Sequence, residues 1–325
     1  MQCPVGTDVS LAAEILRRGG LVAFATETVY GLGANALDAA ALARVFEVKR
    51  RPRFDPIIAH IADTDQLPLL ASDIPKTAHR LIARFWPGPL TLVLPKTEVV
   101  PDLLTAGLPS VAVRVPDHPL ALELLRAVDF PVAAPSANLF GMISPTTAAH
   151  VAEQLGASID YILDGGPCQV GLESTVLHVT ETSATLLRAG GLPVEDIEAA
   201  IGPVRIETTS SQTTGESQPA PGMLPRHYAP RTPLVVVDDV WLADVGKRFA
   251  LLTLRPIGGG EKWAKWFAAI EVLSPTGDLR EAAMNFFAAL RRLDAMGLDA
   301  IVATPFPEAG LGRALNDRLR RATHR

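Results

Sequence analysis

The 325-residue chain contains only two cysteines, Cys3 and Cys168, so no disulfide framework is plausible and a reducing compartment fits. The N-terminus lacks a basic region followed by an apolar run, which excludes a secretory signal of the usual form. No stretch of about 18 apolar residues occurs, so no membrane-spanning helix is predicted. These absences together lead us to expect a cytoplasmic protein.

Positive charge is scarce in the first 202 residues, where 14 Lys and Arg stand against 22 Asp and Glu for a net charge of −8. Neither Lys nor Arg occurs from 127 to 187, and the rest of the chain after residue 202 carries a net charge of +3. Binding along a nucleic-acid backbone needs many spread cations, so this distribution disfavours it. One focused anion site remains possible, because Lys49, Arg50, Arg51 and Arg53 lie within five positions.

Helix and strand signals are interspersed through the first 200 residues, which favours a mixed α/β sheet over a strict βαβ array. Asp8 (or Ser10) and Asp38 are predicted N-caps, and Pro52 predicts that the second helix ends near Arg50. The segment "ATETVYGLG" is predicted to be a loop. Predicted strands are LVAF, PIIAHIA, LTLVLP, SVAVRVP, FPVAAP, DYILD, ESTVLHV and ATLLRAG, and further helices are predicted at about 118–128, 146–156 and 194–201.

The composition changes after residue 202. Residues 208–218 contain no hydrophobic side chain and are typical of a flexible linker, and a proline-rich segment follows. From Pro233 the alternation restarts with LVVVDD, a helix near 241–249, LLTL, a helix around 278–295, DAIVAT and a helix from about 312. We therefore predict three parts: a domain over 1–202, a linker over 203–232, and a small Rossmann-like α/β domain over 233–325 without a dinucleotide-binding glycine loop.

The cation cluster in "VFEVKRRPRFDPI" has two interpretations. Cations in the last turn of a helix favour the helix dipole, and basic runs are usually solvated faces. Against this, Lys49 follows Phe46 and Val45 by three and four positions, on the side of the helix predicted to be buried. Pro52 and Pro56 stiffen the corner, and a rigid pair of cations suits a polyphosphate better than a mobile one.

A second candidate region is the stretch "TETVYGLG" after a predicted strand. Thr26, Thr28 and Tyr30 lie there, at the position where α/β sheets bind ligands. Gly31 and Gly33 allow a backbone to approach another group closely. An ordinary turn is the alternative.

Two ionisable side chains lie inside predicted strands. His60 interrupts an apolar strand, where a histidine is often a satisfied structural residue. Arg114 lies in the middle of "SVAVRVP", and a buried arginine needs a partner. A substrate carboxylate held by two hydrogen bonds and an internal Asp or Glu are both open possibilities for that partner.

Short polar residues gather around a later turn and at two strand ends. Ser136, Asn138 and Ser144 suit phosphate oxygens, or they satisfy the turn backbone. Ser174 begins a strand and Arg188 ends one, and such residues are mostly structural unless they converge on one site. The sequence has no Walker loop, no Gly-x-Ser-x-Gly elbow and no close His pairs at zinc-ligand spacing, so we expect no protein-built metal site.

These signals also occur in a characteristic order: GGLVAFATETVYGLGANA, KRRPRFDPIIAHI, FWPGPLTLVL, SVAVRVPDH, PVAAPSANLFGMISPTTA, GLESTVLHV and LLRAGGLP. The set resembles the YrdC-like family. APGMLPRHYAP and the additional domain resemble its long, two-domain threonylcarbamoyl-AMP synthases, and the resemblance spans nearly the whole chain. It implies a YrdC-like twisted mixed sheet with helices, followed by a linker and a small Rossmann-like domain.

The resemblance further implies an activity. The family makes threonylcarbamoyl-adenylate from L-threonine, bicarbonate and ATP, with release of pyrophosphate. A partner enzyme of the tRNA-modifying machinery then transfers the threonylcarbamoyl group to the adenosine beside the anticodon. Any contact of this chain with tRNA would be indirect, and Mg²⁺ would be held through the ATP phosphates.

Individual roles are implied as well. Lys49 and Arg51 match the family's Lys-x-Arg-Pro motif and would act in catalysis by holding the triphosphate. The other implied ATP contacts are Asp55, Ser110, Ser136, Asn138, Ser144, Arg188 and Tyr228, the last from a linker that folds back over the nucleotide. The implied threonine contacts are Thr28, Tyr30, His60, Arg114, Ala134 (through its backbone) and Ser174. Asp55 stands where the family usually has Asn, and its carboxylate should repel phosphate unless it meets Mg²⁺ or pairs with Arg53.

Two other functions compete with this one. An RNA-binding or ribosome-maturation factor of the YrdC-like fold would need a basic face, and the net charge of −8 and the lack of interleaved aromatic residues argue against it. A carbamoyl-transfer maturation protein is less similar, because such proteins carry zinc-binding Cys clusters and this chain has two cysteines.

Overall fold

The computed structural model describes residues 3–207, 227–238, 248–257 and 266–324. The chain divides into two compact units. The first unit comprises Met1–Phe140, Ser144–Gln169 and Glu173–Leu224, and the second comprises Gly141–Ile143, Val170–Leu172 and Pro225–Arg325. Two three-residue segments from the middle of the sequence therefore belong to the second unit.

The first unit is built on an 11-stranded sheet. Its strands are β1 (Val5–Gly6), β2 (Val22–Phe24), β3 (Gly31–Asn35), β4 (Ala59–His60), β5 (Leu90–Pro95), β6 (Ser110–Arg114), β7 (Val132–Ala133), β8 (Tyr161–Leu163), β9 (Thr175–Val179), β10 (Ala184–Arg188) and β11 (Arg205–Ile206). Their order is β1-β8-β2-β3-β7-β4-β6-β5-β9-β10-β11. The pairs β4–β6 and β5–β9 are parallel, whereas β2–β3, β3–β7 and β5–β6 are antiparallel, which confirms the predicted mixed sheet.

Eight α-helices accompany this sheet in the described part of the first unit: α1 (Val9–Arg17), α2 (Ala39–Lys49), α3 (Leu67–Leu70), α4 (Lys76–Phe85), α5 (Asp102–Thr105), α6 (Pro119–Ala127), α7 (Ala148–Leu155) and α8 (Val194–Ile201). The caps predicted at Asp8 and Asp38 are confirmed, since each carboxylate accepts a backbone N–H of the first turn. The predicted end of α2 is confirmed too, because Arg50 takes a left-handed conformation with φ 52°. Helices α3, α4 and α5 were not predicted.

The predicted loop "ATETVYGLG" is wrong at its C-terminal end, because β3 begins at Gly31. A Cβ atom on Gly33 would lie 3.0 Å from both the Val22 carbonyl oxygen and the Phe24 ring, and one on Gly31 would lie 3.0 Å from the Cβ of Ala134. The glycines therefore permit close packing within the sheet. The predicted strand "PIIAHIA" is also shorter than expected, since only Ala59–His60 pairs as β4.

Helix α2 is anchored by its apolar face. Leu42, Val45 and Phe46 pack in one core cluster with Leu32 of β3 and Ile57. Burial of an aliphatic or aromatic side chain contributes about 1.5–3 kcal/mol, so this face holds the helix firmly on the sheet. The last helical residue therefore occupies a fixed position, at the edge of the core.

The second unit contains a four-stranded sheet with strands β12 (Leu234–Val236), β13 (Phe249–Thr253), β14 (Phe267–Val272) and β15 (Ala300–Ala303). Their order is β12-β15-β13-β14, and all pairs are parallel. Helices α9 (Leu279–Asp294) and α10 (Leu311–Thr323) belong to it. This confirms the small Rossmann-like α/β unit, with β14 as a strand that was not predicted.

Some predictions fall outside the described residues. These are the linker at 208–218 and residues 241–247 of the helix expected near 241–249; at its end that helix is wrong, because Phe249 begins β13. In the described ranges, no helix combines the length and the apolarity that a bilayer crossing requires.

Candidate active site

The order of the strands brings together residues that lie far apart in the sequence. His60 of β4 pairs with Arg114 of β6 and, on its other side, with Val132 of β7. The chain leaving β7 reaches Ser136, which bridges to Gly31 at the start of β3. One region of the sheet thus collects the polar residues of four strands and their loops.

Lys49 lies in this region and is almost completely buried, with 1% of its surface exposed. Its Nζ donates hydrogen bonds to the backbone carbonyl oxygens of Ser136 and Asn138. Burial, and then the charge of Arg51, lower the pKa of Lys49 well below its ordinary value. An anion bound beside this amine would favour its charged form, because a nearby opposite charge opposes the effect of burial.

Arg51 lies two residues further on and is also buried. Its Nη2 forms an ion pair with Asp55 at 2.9 Å, and its Nε and Nη2 donate to the carbonyl oxygens of Asp55 and Pro56 at 3.1 and 2.6 Å. The guanidinium also lies 5.9 Å from the ring centroid of Phe140. The expectation that Asp55 would pair with Arg53 or Mg²⁺ is thereby corrected: the carboxylate pairs with Arg51, four residues earlier in the chain.

Arg114 is the second buried arginine of the region. Its Nη2 binds a carboxylate oxygen of Glu27 at 2.6 Å, and its Nη1 donates to the hydroxyl of Thr28 at 3.0 Å. Burial lowers the pKa of Arg114, and the charge of Glu27 opposes that effect. Of the two partners left open by the sequence, the internal carboxylate is therefore present, and the guanidinium keeps further N–H groups that could bind a ligand.

His60 is buried beside Arg114, with its ring edge-to-face against Phe24 at 6.2 Å. Burial and the positive charge of Arg114 lower the pKa of His60 to about 3. The imidazole is therefore neutral at neutral pH. It can take part in hydrogen bonds there, but it supplies no charge.

Thr28 and Tyr30 occupy the short connection between β2 and β3. The hydroxyl of Thr28 lies 2.8 Å from that of Thr26, in addition to its contact with Arg114. The hydroxyl of Tyr30 donates to Asp164 and to the carbonyl of Gly166, at 2.9 and 2.8 Å. Thr28 thus faces the Arg114 cluster, whereas the Tyr30 hydroxyl is used by a different part of the unit.

The remaining polar residues form two pairs. Ser144 donates from its hydroxyl to Glu173 at 2.5 Å. Arg188 donates to the carbonyl of Ser174 at 2.9 Å, and the Ser174 hydroxyl lies 2.7 Å from that of Thr91. Because β9 follows directly after Ser174, these contacts fix the start of that strand.

Ser110, Ala134 and Tyr228 are the remaining predicted site residues. Ser110 begins β6 while Arg114 ends it, which separates their Cα atoms by about 13 Å. Ala134 is buried, and its N–H donates to the carbonyl of Ile58 at 3.0 Å. Tyr228 belongs to the second unit, where it is buried between Phe287, at 5.6 Å between ring centroids, and the Arg318 guanidinium, at 4.9 Å from its ring.

Sequence reasoning missed Glu27, Thr91 and Glu173, which hold predicted site residues in place. Glu27 carried one signal, because it stands between Thr26 and Thr28 in a motif already regarded as a ligand loop. Glu173 and Thr91 carried none, since each meets its partner only when distant strands are aligned.

Known protein families match both parts of the chain. The sequence profile of the Sua5/YciO/YrdC family, described by the words "telomere recombination", matches residues 14–190. A second profile, described as the C-terminal domain of threonylcarbamoyl-AMP synthase, matches residues 192–323. The chain belongs to the Sua5/YciO/YrdC family, in its long two-domain form.

Similar members of the family are known from archaea and bacteria. The threonylcarbamoyl-AMP synthase of Pyrococcus abyssi is 46% identical over 328 residues, which cover 97% of this chain and 94% of that protein. The Bacillus subtilis protein of the same name is 43% identical, covering 97% of this chain and 92% of its own length. The crystal structure of P. abyssi Sua5 complexed with L-threonine superposes with a TM-score of 0.86 at 42% identity and covers 99% of this chain and 97% of that one.

Proposed function

We propose that this Sua5/YciO/YrdC family member is an L-threonylcarbamoyladenylate synthase. It would condense L-threonine, bicarbonate and ATP to threonylcarbamoyl-AMP and release pyrophosphate, which makes it a nucleotidyltransferase. The similarity to proteins named threonylcarbamoyl-AMP synthase over nearly the full chain supports this assignment. The product would serve the machinery that modifies tRNA beside the anticodon, in the cytoplasm.

The observation that carries the proposal is the arrangement of buried cations in one unit. Lys49 and Arg51 are buried beside the turn after β7 that contains Ser136 and Asn138. Arg114 is buried on β6, which is separated from β7 by one strand, β4. The two arginines pair with Asp55 and Glu27, whereas Lys49 is held by two backbone carbonyl oxygens. The resulting excess of buried positive charge suits an anionic ligand. We assign the triphosphate to Lys49 and Arg51, and the threonine carboxylate to Arg114.

The chemistry explains why such a site is needed. The amine of threonine and bicarbonate give a carbamate, which is a weak and short-lived nucleophile. It must reach the α-phosphorus before it decays, so holding both reactants together supplies much of the rate acceleration. Negative charge then grows on the departing pyrophosphate, and the fixed charges of Lys49 and Arg51 stabilise it.

In this proposal the ATP phosphates would hold Mg²⁺, which would neutralise part of their charge. The acid nearest to the proposed phosphate ligands, Asp55, is engaged by Arg51 at 2.9 Å, so its position suits a charge partner of that arginine better than a metal ligand. Ser144 and Arg188 are proposed as further ATP contacts. Thr28, His60 and Ser174 are proposed on the threonine side.

The proposal also assigns a role to each part of the chain. Residues 1–202 would form the catalytic domain, 203–232 a linker that closes over the nucleotide with Tyr228, and 233–325 the C-terminal domain. Closure would exclude water and protect the mixed anhydride product from hydrolysis.

A direct assay tests the proposed reaction. Purified protein with L-threonine, bicarbonate, Mg²⁺ and ATP should release pyrophosphate and form an adenylate that chromatography separates from AMP. Omitting threonine should abolish the release. Equal release of pyrophosphate without threonine would contradict the assignment.

Variants of the cation cluster test the proposed ligands. Lys49→Ala and Arg51→Ala should each weaken ATP binding roughly 10- to 150-fold, since each removes a charged hydrogen-bond donor. Arg50→Ala is the matched control, because Arg50 is exposed between them. Isothermal titration on variants that unfold cooperatively would measure the effect, and an equal loss in all three would show a diffuse basic patch instead.

A further inference from the structure

Glu27 is a buried acid with no assigned role in the proposed reaction. It is 4% exposed and lies in the connection between β2 and β3, directly before Thr28. Its Oε2 binds Nη2 of Arg114 at 2.6 Å. Its other carboxylate oxygen, Oε1, is buried and has no hydrogen-bond partner among the residues that the structure describes.

Burial of Oε1 without a hydrogen bond costs free energy of folding. A carboxylate oxygen removed from water without a hydrogen bond is unfavourable, more so than a neutral polar atom. Nε of Arg114 is in the same condition, buried and without a partner in the described part of the chain. An acceptor and a donor, on two side chains that touch each other, are thus both unsatisfied in one place.

The acceptor Oε1 of Glu27 and the donor Nε of Arg114 are complementary to the charged groups of an amino acid. Threonine at neutral pH is a zwitterion whose carboxylate and ammonium groups are attached to the same carbon atom. A carboxylate needs donors, which Arg114 provides, and an ammonium has three N–H donors and no acceptor, so it needs an acceptor beside them. The ion pair of Arg114 and Glu27 presents the two complementary charges side by side.

The other groups around Arg114 cannot replace Glu27 in this role. His60 is neutral, because the pKa of its imidazole is lowered to about 3. The thiol of Cys168 is neutral as well, because burial raises its pKa. Asp117 also acts electrostatically on Arg114, but its side chain is exposed to solvent.

We propose that Glu27 is a substrate-binding residue: Oε1 accepts a hydrogen bond from the ammonium group of threonine while Oε2 holds Arg114 for the carboxylate. The inference rests on the proposed function, since it takes threonine as the ligand of this cluster. It assigns the recognition of the α-amino group, which is the atom that later becomes the carbamate nitrogen. Amino acids with a free α-amino group should therefore bind, and hydroxy acids of the same shape should not.

The test compares two ligands on two proteins. L-Threonine and (R)-3-hydroxybutanoate share the carboxylate and the hydroxyl group, but only threonine has the ammonium. Titration calorimetry on the wild-type protein should show threonine binding roughly 10- to 150-fold more tightly, as expected for one charge-assisted hydrogen bond. In Glu27→Gln the affinity for threonine should fall by a similar factor, while that for 3-hydroxybutanoate should change less than about threefold, which is less than 0.7 kcal/mol.

Controls separate recognition from positioning. Asp117→Asn removes a charge that also acts on Arg114 and should leave the ratio of the two affinities unchanged. If Glu27 only positions Arg114, Glu27→Gln weakens both ligands by the same factor, and the proposal is overturned. In either case, a Glu27→Gln protein that keeps the wild-type ratio of threonine affinity to 3-hydroxybutanoate affinity contradicts the proposal.

The wild-type protein alone also decides the question if Glu27→Gln fails to fold. A wild-type affinity ratio below about threefold, or tight binding of 3-hydroxybutanoate, would overturn the role of Glu27. The proposed synthase function fails independently of this, if pyrophosphate release does not depend on threonine. Release that depends on threonine, together with an unchanged ratio in Glu27→Gln, would leave the function standing and remove only the inference about Glu27.

Discussion

At the scale of single residues, His60 links the site to the acid stability of the protein. The pKa of its imidazole is about 3 in the folded chain and about 6.5 in an unfolded one. Between these values the unfolded state binds a proton that the folded state does not, so stability falls as the pH decreases through this range. Above pH 6.5 the imidazole is neutral in both states, so His60 no longer makes the folding stability depend on pH.

This predicts a specific effect of His60→Gln. Between pH 7 and pH 4.5 the wild-type protein should lose about 3 kcal/mol more unfolding free energy than the variant, since two pH units each account for about 1.4 kcal/mol. Urea unfolding at both pH values measures the difference. His79→Gln, at an exposed position of α4, is the control and should follow the wild type. Identical acid sensitivity of wild type and His60→Gln would refute the burial argument.

Asp55 leads to a second prediction at this scale. In the ion pair with Arg51 both side chains are buried, at 4% and 0% exposure, so Asp55→Asn removes a negative charge that lies 2.9 Å from a buried guanidinium. Breaking a buried pair in this way costs roughly 3–5 kcal/mol. Phosphate from ATP would supply the missing charge if Arg51 is a triphosphate ligand.

Without ATP, Asp55→Asn should therefore melt at a lower temperature than the wild type. ATP should raise the melting temperature of Asp55→Asn by more than it raises that of the wild type. Thermal melts with and without ATP and Mg²⁺ measure both quantities. Asp102→Asn is the control, because the Asp102 side chain that pairs with Lys96 is 83% exposed, and such a pair contributes at most about 1 kcal/mol. Equal ATP-induced shifts in wild type and Asp55→Asn would show that Arg51 does not meet the phosphates.

At the scale of elements, Gly190 fixes how the segment after β10 passes the start of β9. A Cβ atom there would lie 2.3 Å from the carbonyl oxygen of Glu173 and 2.4 Å from the carbonyl carbon of Ser174. Backbone atoms cannot move away as a flexible side chain can, so Gly190→Ala must displace the strand start. Glu173 holds Ser144 and Ser174 meets Arg188, so the displacement reaches two proposed ligand positions.

We expect Gly190→Ala to destabilise the protein by about 1–3 kcal/mol and to lower threonine-dependent pyrophosphate release at least tenfold at a temperature where it is folded. Gly202→Ala is the control. Its added Cβ meets nothing within 4 Å, so only its backbone conformation, φ 89° and ψ −169°, is strained, which costs about 1–3 kcal/mol. Steady-state assays together with urea unfolding distinguish the two, and equal activity losses would contradict the role of the Gly190 contact.

The elements also show what could be predicted from the sequence. Asp8, Asp38 and Pro52 act within a few residues of themselves, so helix starts and the end of α2 followed from local rules. Gly31 and Gly33 misled the prediction, because their closeness to Phe24 and Ala134 depends on which strands are neighbours. The order of the strands has no local signature.

The same distinction applies to the candidate site. The burial of Lys49 followed from its spacing to Val45 and Phe46 along one helix, and the structure bears it out. The partner of Arg114 could not be chosen, because Glu27 lies 87 positions away in the sequence. Pairings of this kind need the register of the sheet, which periodicity alone does not contain.

At the scale of the whole molecule, the second unit is assembled from three stretches of chain. Within it, the N–H of Ala229 donates to the carbonyl of Gly141 at 2.8 Å, and Arg291 of α9 donates to the carbonyl of Ile143 at 2.5 Å. Gly171 packs so closely that an added Cβ would lie 2.5 Å from the Ala283 carbonyl oxygen. The C-terminal hundred residues are therefore not a self-contained piece of sequence.

A fragment covering residues 225–325 should accordingly be less stable than the same residues in the full chain. It lacks Gly141–Ile143 and Val170–Leu172, which leaves Arg291 and the packing surface of α9 without these partners. Hydrogen exchange should be faster in α9 of the fragment than in α9 of the full chain. Equal exchange rates would show that the two short segments contribute nothing to the second unit.

The left-handed backbone at Arg50 affects which related sequences can carry the same pair of cations. Residues 49 and 51 are both buried while residue 50 is exposed, and this alternation arises because the chain leaves the helix through a residue with φ 52°. Glycine and asparagine adopt that conformation at the lowest cost, and β-branched residues at the highest. Natural variation at position 50 should therefore follow backbone preference and ignore charge, so that a lineage could lose this arginine without losing the site.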